Sequence, residues 1–334
     1  MIRKGKIWMS LALIMTLLAT GCGGASQPSA QQPQTASQNN PAESPAQSTK
    51  EEARTVTHAM GETVIPGTPQ RIVVLTTQGT ESLLALGIKP VGAVKSWIGD
   101  PWFDHIKDQM DGVEVIGDEV QPNVELIASL KPDLILGTKV RQEKIYSQLS
   151  AIAPTVFTEN LGDSMIDNFT LYAKALNREE DGKKVLEEFE KTIAEAKNKL
   201  GDKTKLEISL ARFQAGKVRV YYKNNFAGVI LDMMGFARPE AQNKDEFTKD
   251  LAKEQMAELD GDIFFYFASD REGDNGATKT AQEWLDDPLA QNLKVKKNGH
   301  VYQVNEAIWN SAGGIIAAEL LVKDIEKIVS EVQP

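Results

Sequence analysis

The chain has 334 residues, 41% hydrophobic and 25% charged, enough for two domains that each bury a core. Its net charge of −10 argues against a nucleic-acid binder, whose footprint is basic. Cys22 is the only cysteine, which excludes a disulfide framework and a thiolate metal site.

Arg3, Lys4 and Lys6 open the chain, and the apolar run from Ile7 to Leu18 is too short for a stable membrane span. Leu18-Ala19-Thr20-Gly21-Cys22 then sets small residues before the cysteine. This resembles the bacterial lipoprotein signal, in which the cysteine is lipidated and becomes the mature N-terminus. Ala19 stands where that signal usually has Leu. The resemblance implies a signal peptide over 1–21 and lipidation of Cys22. Gly23 to Ala53 holds no large apolar residue and cannot offset its ordering entropy, so 22–54 is expected to be a disordered tether.

From Thr55 onward strand and helix patterns alternate. Thr55 to Ile65 reads as a hairpin and Arg71 to Leu75 as a buried strand. Glu81 to Leu86 is a short helix stopped by Gly87; Val91–Val94 and Val113–Ile116 are strands. Asn123 caps a helix to Leu130, Asp133–Leu136 returns as a strand, Gln142–Ala153 is helical and Thr155–Phe157 extended. Ser164–Leu176 is a helix. This predicts an α/β lobe with a mostly parallel sheet over 55–177.

The next stretch predicts a long amphipathic helix. Asn177 with Glu180 can form a capping box, Glu179, Glu180 and Asp181 suit the positive end, and Lys197, Lys199 and Gly201 suit the other. Phe189, Ile193, Ala196 and Leu200 make one apolar stripe. Lys184–Glu188, Glu187–Lys191, Lys191–Glu195 and Glu195–Lys199 fall at the spacing of surface pairs. The expected reading is a rigid linker over 178–200.

A second α/β lobe is expected over 201–334. Glu207–Phe213 and Val218–Tyr222 are strands joined at Ala215-Gly216, and Phe226–Met234 is a helix closed by Gly235. Thr248–Leu259 is expected as helix, Asp262–Phe267 as a buried strand, and Trp284 as the start of a short helix. His300–Val304 is a strand and Gly314–Val332 a terminal amphipathic helix. Leu83–Pro90 echoes Leu231–Pro239 and Ala128–Ile135 echoes Ala257–Phe264, as two lobes of similar architecture would.

Enzyme signatures are missing: no phosphate-binding G-x-x-x-x-G-K-[ST], no G-x-G-x-x-G after a strand, no G-x-S-x-G elbow. His58, His105 and His300 are scattered, which disfavours a zinc site, and no metal ligand set is assigned. Asp270–Gly276 lacks the register of a calcium loop. What recurs is cations and aromatics at strand ends, where open α/β sheets place ligands. These are Lys95, Trp97, Lys139 and Arg141 in the first lobe, and Arg212, Arg219, Tyr222, Arg271 and Trp309 in the second. Such a set suits an oxygen-rich, anionic small ligand.

Several stretches carry a family resemblance over Thr55 to Val332: Pro69–Leu75, Glu81–Gly92, Leu136–Arg141, Ala211–Phe213, Val218–Tyr221, Gly228–Leu231, Gly235–Pro239, and Trp309 with Gly313-Gly314. The chain resembles the siderophore-binding lipoproteins of bacterial iron-complex ABC importers, on their ferric hydroxamate-like branch. The resemblance implies the class III periplasmic-binding-protein-like α/β fold, two Rossmann-like lobes joined by a single long rigid α-helix. It implies capture of a ferric siderophore of hydroxamate or citrate–hydroxamate type and delivery to an ABC permease. No catalysis, no cofactor and no nucleic acid are implied; iron is held by the siderophore's own oxygens. A lipid-anchored monomer on the outer face of the cytoplasmic membrane is expected. By position, Arg212 and Trp309 would contact the ligand from one lobe, facing Lys95, Trp97, Lys139 and Arg141. Glu81 and Glu240 would dock on the permease. Residues 307–311 carry no arginine beside Trp309, which speaks against a purely carboxylate ligand. Haem or cobalamin binding is the alternative within this class, and a surface enzyme or an adhesin on the same scaffold are the others.

Overall fold

Residues 53–270 and 273–333 are described by the structure, a computed structural model. Strands β1 (Arg54–His58) and β2 (Gly61–Ile65) pair antiparallel as the expected hairpin. The first lobe continues with β3 (Ile72–Val74), α1 (Thr77–Ala85), β4 (Gly92–Ala93), β5 (Glu114–Val115), α2 (Val124–Ser129) and β6 (Leu134–Thr138). It closes with α3 (Lys139–Gln142), α4 (Tyr146–Ser150), β7 (Thr155–Thr158) and α5 (Met165–Ala175). Its sheet has the order β5-β4-β3-β6-β7, all parallel. Every residue of β3 and β6 is buried, as parallel strands covered on both faces require. Helix α1 begins four residues before the expected Glu81, because the Thr76 side chain accepts from the Gly79 N–H and caps it there.

The linker α6 (Glu179–Leu200) follows; its 22 residues rise about 33 Å. Phe189, Ile193, Ala196 and Leu200 are buried along one stripe, as expected. Asn177 is not its cap. That residue takes φ +59 between α5 and α6, and its amide donates to Thr68 Oγ1 at 2.9 Å. The expected lattice of surface pairs is also rearranged. Lys191 turns back to Glu188 at 3.1 Å, and Lys199 reaches out of the helix to Glu326 at 2.9 Å.

The second lobe runs through β8 (Ile208–Gln214), β9 (Lys217–Tyr221), α7 (Phe226–Met233), β10 (Thr248–Leu251) and β11 (Ile263–Ala268). It ends with α8 (Gly276–Leu285), α9 (Lys294–Lys297), β12 (Val301–Gln303) and α10 (Ile315–Glu331). The order β10-β9-β8-β11-β12 repeats that of the first sheet strand for strand. β9 runs antiparallel to β8 because the turn at Ala215-Gly216 is too short for a parallel crossover. The expected helix over Thr248–Leu259 is corrected in part: its first four residues are β10, which pairs with the free edge of β9, and Lys253–Leu259 is a 3-10 helix. Trp284 likewise lies near the end of α8, not at a helix start.

The duplication is visible at the helix starts. Thr76 caps α1 and Asn225 caps α7, each accepting from a glycine N–H three residues on, Gly79 and Gly228. A Cβ on Gly228 would lie 2.4 Å from the Tyr222 carbonyl oxygen, so only glycine lets α7 start that close to its strand. One continuous apolar core joins the lobes, from Ile72 and Val74 through Phe169 and Phe189 to Ile208, Leu210 and Ile315.

Candidate functional site

The C-terminal ends of the parallel strands in both sheets, with the loops that follow, face one cleft of about 530 Å³. From the first lobe come Thr77 and Gln78 at the start of α1, Trp97, Glu119, Arg141 and Asn160. From the second come Arg212, Arg219, Tyr221, Phe247, Ser269 and Glu306. Residues 310–313, between β12 and α10, line its floor.

Three guanidinium groups converge there. Arg141 stacks over the Trp97 ring, 5.8 Å from its centroid, with Nε 3.7 Å from Glu119 Oε2. Arg212 donates from Nε to Ser269 Oγ at 2.6 Å, and its Nη2 lies 2.8 Å from Glu306 Oε1. Arg219 pairs with Asp250 at 2.8 Å across the β9–β10 ladder. Glu119 is 2% exposed and accepts from the N–H and Oγ1 of Thr77, at 2.7 and 2.9 Å. Burial pushes its carboxyl above the usual range, against the Thr77 hydrogen bonds and the Arg141 charge, so desolvation wins. Gln142 fixes the Glu119 loop by donating to its carbonyl at 2.6 Å and to that of Leu75 at 3.1 Å. Burial also raises the Tyr221 phenol, and the Arg212 charge opposes it.

The mouth is apolar. Trp97, Ile98, Val140 and Phe247 are four of the seven large hydrophobic residues left exposed among the described residues, and all four line this cleft. Apolar exposure gathered in one concave place marks a ligand site. Among the described residues no cluster of His, Cys, Asp and Glu could hold a metal ion, and no helix is long and apolar enough to cross a membrane.

Of the residues expected from sequence, Trp97, Arg141, Arg212 and Arg219 line the cleft. Lys95 is exposed outside it, and Lys139 is bound 2.8 Å from Glu159 on the flank. Tyr222 is a correction: it is fully buried in the outer core of the second lobe, because β9 residues alternate faces and Tyr221 takes the cleft side with Arg219. Trp309 is the second correction. It is 1% exposed, packed 4.7 Å from Phe265, and its Nε1 donates to Asp324 at 3.2 Å. Its neighbours Asn310 and Ser311 face the cleft instead. Glu81 is the third, being fully buried between α1 and α10, while Glu240 is exposed. Arg271 and Cys22 lie outside the described residues. Sequence reading missed Glu119, Glu306, Phe247 and Tyr221; strand parity could have found Tyr221, two residues after Arg219.

Two lobes with matching sheets, one linking helix and a charged, aromatic-rimmed cleft define a two-lobed binding protein for a small ligand. Residues 72–307 match the periplasmic binding protein family model, and the chain belongs to that family. It is 53% identical over 281 residues to the probable siderophore-binding lipoprotein YfiY of Bacillus subtilis, covering 82% of this chain and 86% of that one. It is 34% identical over 324 residues to the Fe(3+)-citrate-binding protein YfmC of the same organism, covering 96% of each. The crystal structure of Staphylococcus aureus SirA complexed with staphyloferrin B superposes with a TM-score of 0.78 at 35% identity, covering 84% of this chain and all of that one. The fold is the helix-linked, class III type expected from the sequence.

Proposed function

We propose that this protein captures a ferric siderophore between its lobes and delivers it to an ABC permease for iron uptake, catalysing no reaction. The observation that carries the proposal is the convergence of Arg141, Arg212 and Arg219, from both lobes, on one aromatic-rimmed cavity. Guanidinium forks suit the oxygen-rich surface of such a chelate, and the metal needs no protein ligand because the siderophore's hard oxygens enclose it. The names of the similar proteins YfiY, YfmC and SirA support the same ligand class.

A citrate–hydroxamate chelate is the ligand type this reading favours. The expectation that carboxylates are disfavoured leaned on the surroundings of Trp309, which is buried, whereas the arginines enter from β8, β9 and α3. On this reading the protein acts as a monomer on the outer face of the cytoplasmic membrane, held by lipidated Cys22 as the lipoprotein-like leader suggests, with exposed Glu240 among the acids that meet the permease.

Titration of the mature chain with ferric citrate–hydroxamate, ferric citrate and a ferric catecholate, followed by tryptophan fluorescence and calorimetry, tests this. Saturable quenching with heat release for a ferric chelate, and none for its iron-free form, is expected. No saturable signal with any of the three overturns the proposal.

A further inference from the structure

The ferric-chelate reading leaves one group in the cleft unexplained. Glu306 lines the cavity, yet it is 7% exposed. One oxygen, Oε1, lies 2.8 Å from Arg212 Nη2; the other, Oε2, is buried with no hydrogen-bond partner. A buried carboxylate oxygen without a donor is unfavourable, and a ligand N–H or O–H brought to it would remove that cost. The first lobe repeats the arrangement with Glu119, 2% exposed, beside Arg141. Arg219 shares its charge with Asp250. Each guanidinium of the cleft is therefore already matched by a carboxylate, buried at Glu306 and Glu119 and exposed at Asp250.

Resting on the function proposed above, we infer that Glu306 is a specificity-determining residue. It selects ferric chelates that combine low net charge with N–H donors, such as citrate–dihydroxamates with amide arms, over polyanionic all-oxygen chelates such as ferric dicitrate. Two mechanisms act together. The buried carboxylate of Glu306 offsets the Arg212 charge beside it, so added negative charge on a ligand gains little there, a built-in selection against the wrong ligand. The free Oε2 rewards an N–H donor, which a fully ionised all-oxygen chelate lacks. Both mechanisms point the same way, so the effect falls on the ratio of affinities and not on affinity alone.

The test compares dissociation constants of the mature wild-type chain and Glu306→Gln for a ferric citrate–dihydroxamate and for ferric dicitrate, read by fluorescence quenching. The variant is isosteric and keeps an oxygen for Arg212. A shift of about tenfold or more in the affinity ratio toward ferric dicitrate is expected. A purely structural Glu306 would move both constants together, so a ratio changed less than about threefold overturns the inference. Should Glu306→Gln fail to fold, Glu306→Asp decides. It keeps the charge but withdraws the oxygen, and must weaken the citrate–dihydroxamate several-fold without strengthening ferric dicitrate; equal weakening of both overturns the inference. A wild-type chain that binds neither chelate removes this inference along with the reading beneath it, whereas an unchanged ratio removes this inference alone.

Discussion

Glu81, in the first lobe, accepts a hydrogen bond at 2.9 Å from the backbone N–H of Ala317 in the first turn of α10, across the junction with the second lobe. Its other oxygen lies 2.5 Å from His105 Nε2, and the residue has no solvent exposure. Gly314 makes the contact close: a Cβ there would sit 2.5 Å from the Glu81 Cβ. An acid expected to meet a permease instead fixes one lobe to the other.

Removing it should destabilise the whole molecule. Glu81→Ala leaves a buried helix N–H and the His105 ring without their acceptor, a loss on the order of 1–3 kcal/mol. The denaturant midpoint should fall with the slope unchanged, while ligand affinity at low denaturant stays within a few-fold. An unfolding free energy within about 0.5 kcal/mol of wild type, the scatter of a neutral surface change, would show that the junction does not depend on this carboxylate.

The last residue of β9, Tyr221, and the tyrosine that follows it, Tyr222, should respond in opposite ways. Tyr221 faces the cleft beside Arg212, and Tyr222 is sealed in the outer core with its hydroxyl unpartnered. Tyr222→Phe removes a buried hydroxyl that has no partner, so stability should hold or rise by up to about 1 kcal/mol and binding should not change. Tyr221→Ala should weaken ferric chelate binding at least about tenfold, as loss of an aromatic wall does. Equal effects of the two on affinity would contradict the strand register.

That pair also shows how far the sequence can be read. Strand–helix alternation and lobe duplication were legible because helix and strand periods, with stops at Gly87 and Gly235, are local properties of the chain. β10 was not legible. Thr248–Leu251 has only four residues and becomes a strand by pairing with the β9 edge, a non-local cause. Arg212 and Arg219 could be placed because they sit within strands. Glu119 and Glu306 could not, since their loops are oriented by distant partners such as Thr77 and Arg212. Trp309 failed for a related reason: an indole near a ligand-facing turn and an indole in the core read alike until Phe265 and Asp324 are seen around it.

The two tryptophans give a separable optical prediction. Trp97 is 49% exposed at the cleft mouth under Arg141, while Trp309 is buried behind the floor. Trp97→Phe should remove the larger share of ligand-induced quenching and weaken binding by about 0.5–1 kcal/mol through the cation–π contact. Trp309→Phe should leave affinity unchanged and cost roughly 1–3 kcal/mol of stability, from lost volume and the hydrogen bond to Asp324. Larger quenching loss in Trp309→Phe than in Trp97→Phe would reverse their assignment.

Glu119 makes stability depend on pH with a definite sign. Its folded-state carboxyl titrates above the ordinary value of 4.5 because burial disfavours the charged form. The folded chain therefore holds this proton at pH values where the unfolded chain has released it. The stability from that linkage is fully present below the ordinary value and is lost as pH rises through the raised one. Glu119→Gln stays neutral throughout and keeps one oxygen for the Thr77 donors. The variant's denaturant midpoint should thus gain on wild type as pH is raised from 4 through the raised value, then run parallel to it. A difference that is flat across that range, or that grows toward acid, would mean that Arg141 and Thr77 outweigh desolvation at this carboxylate.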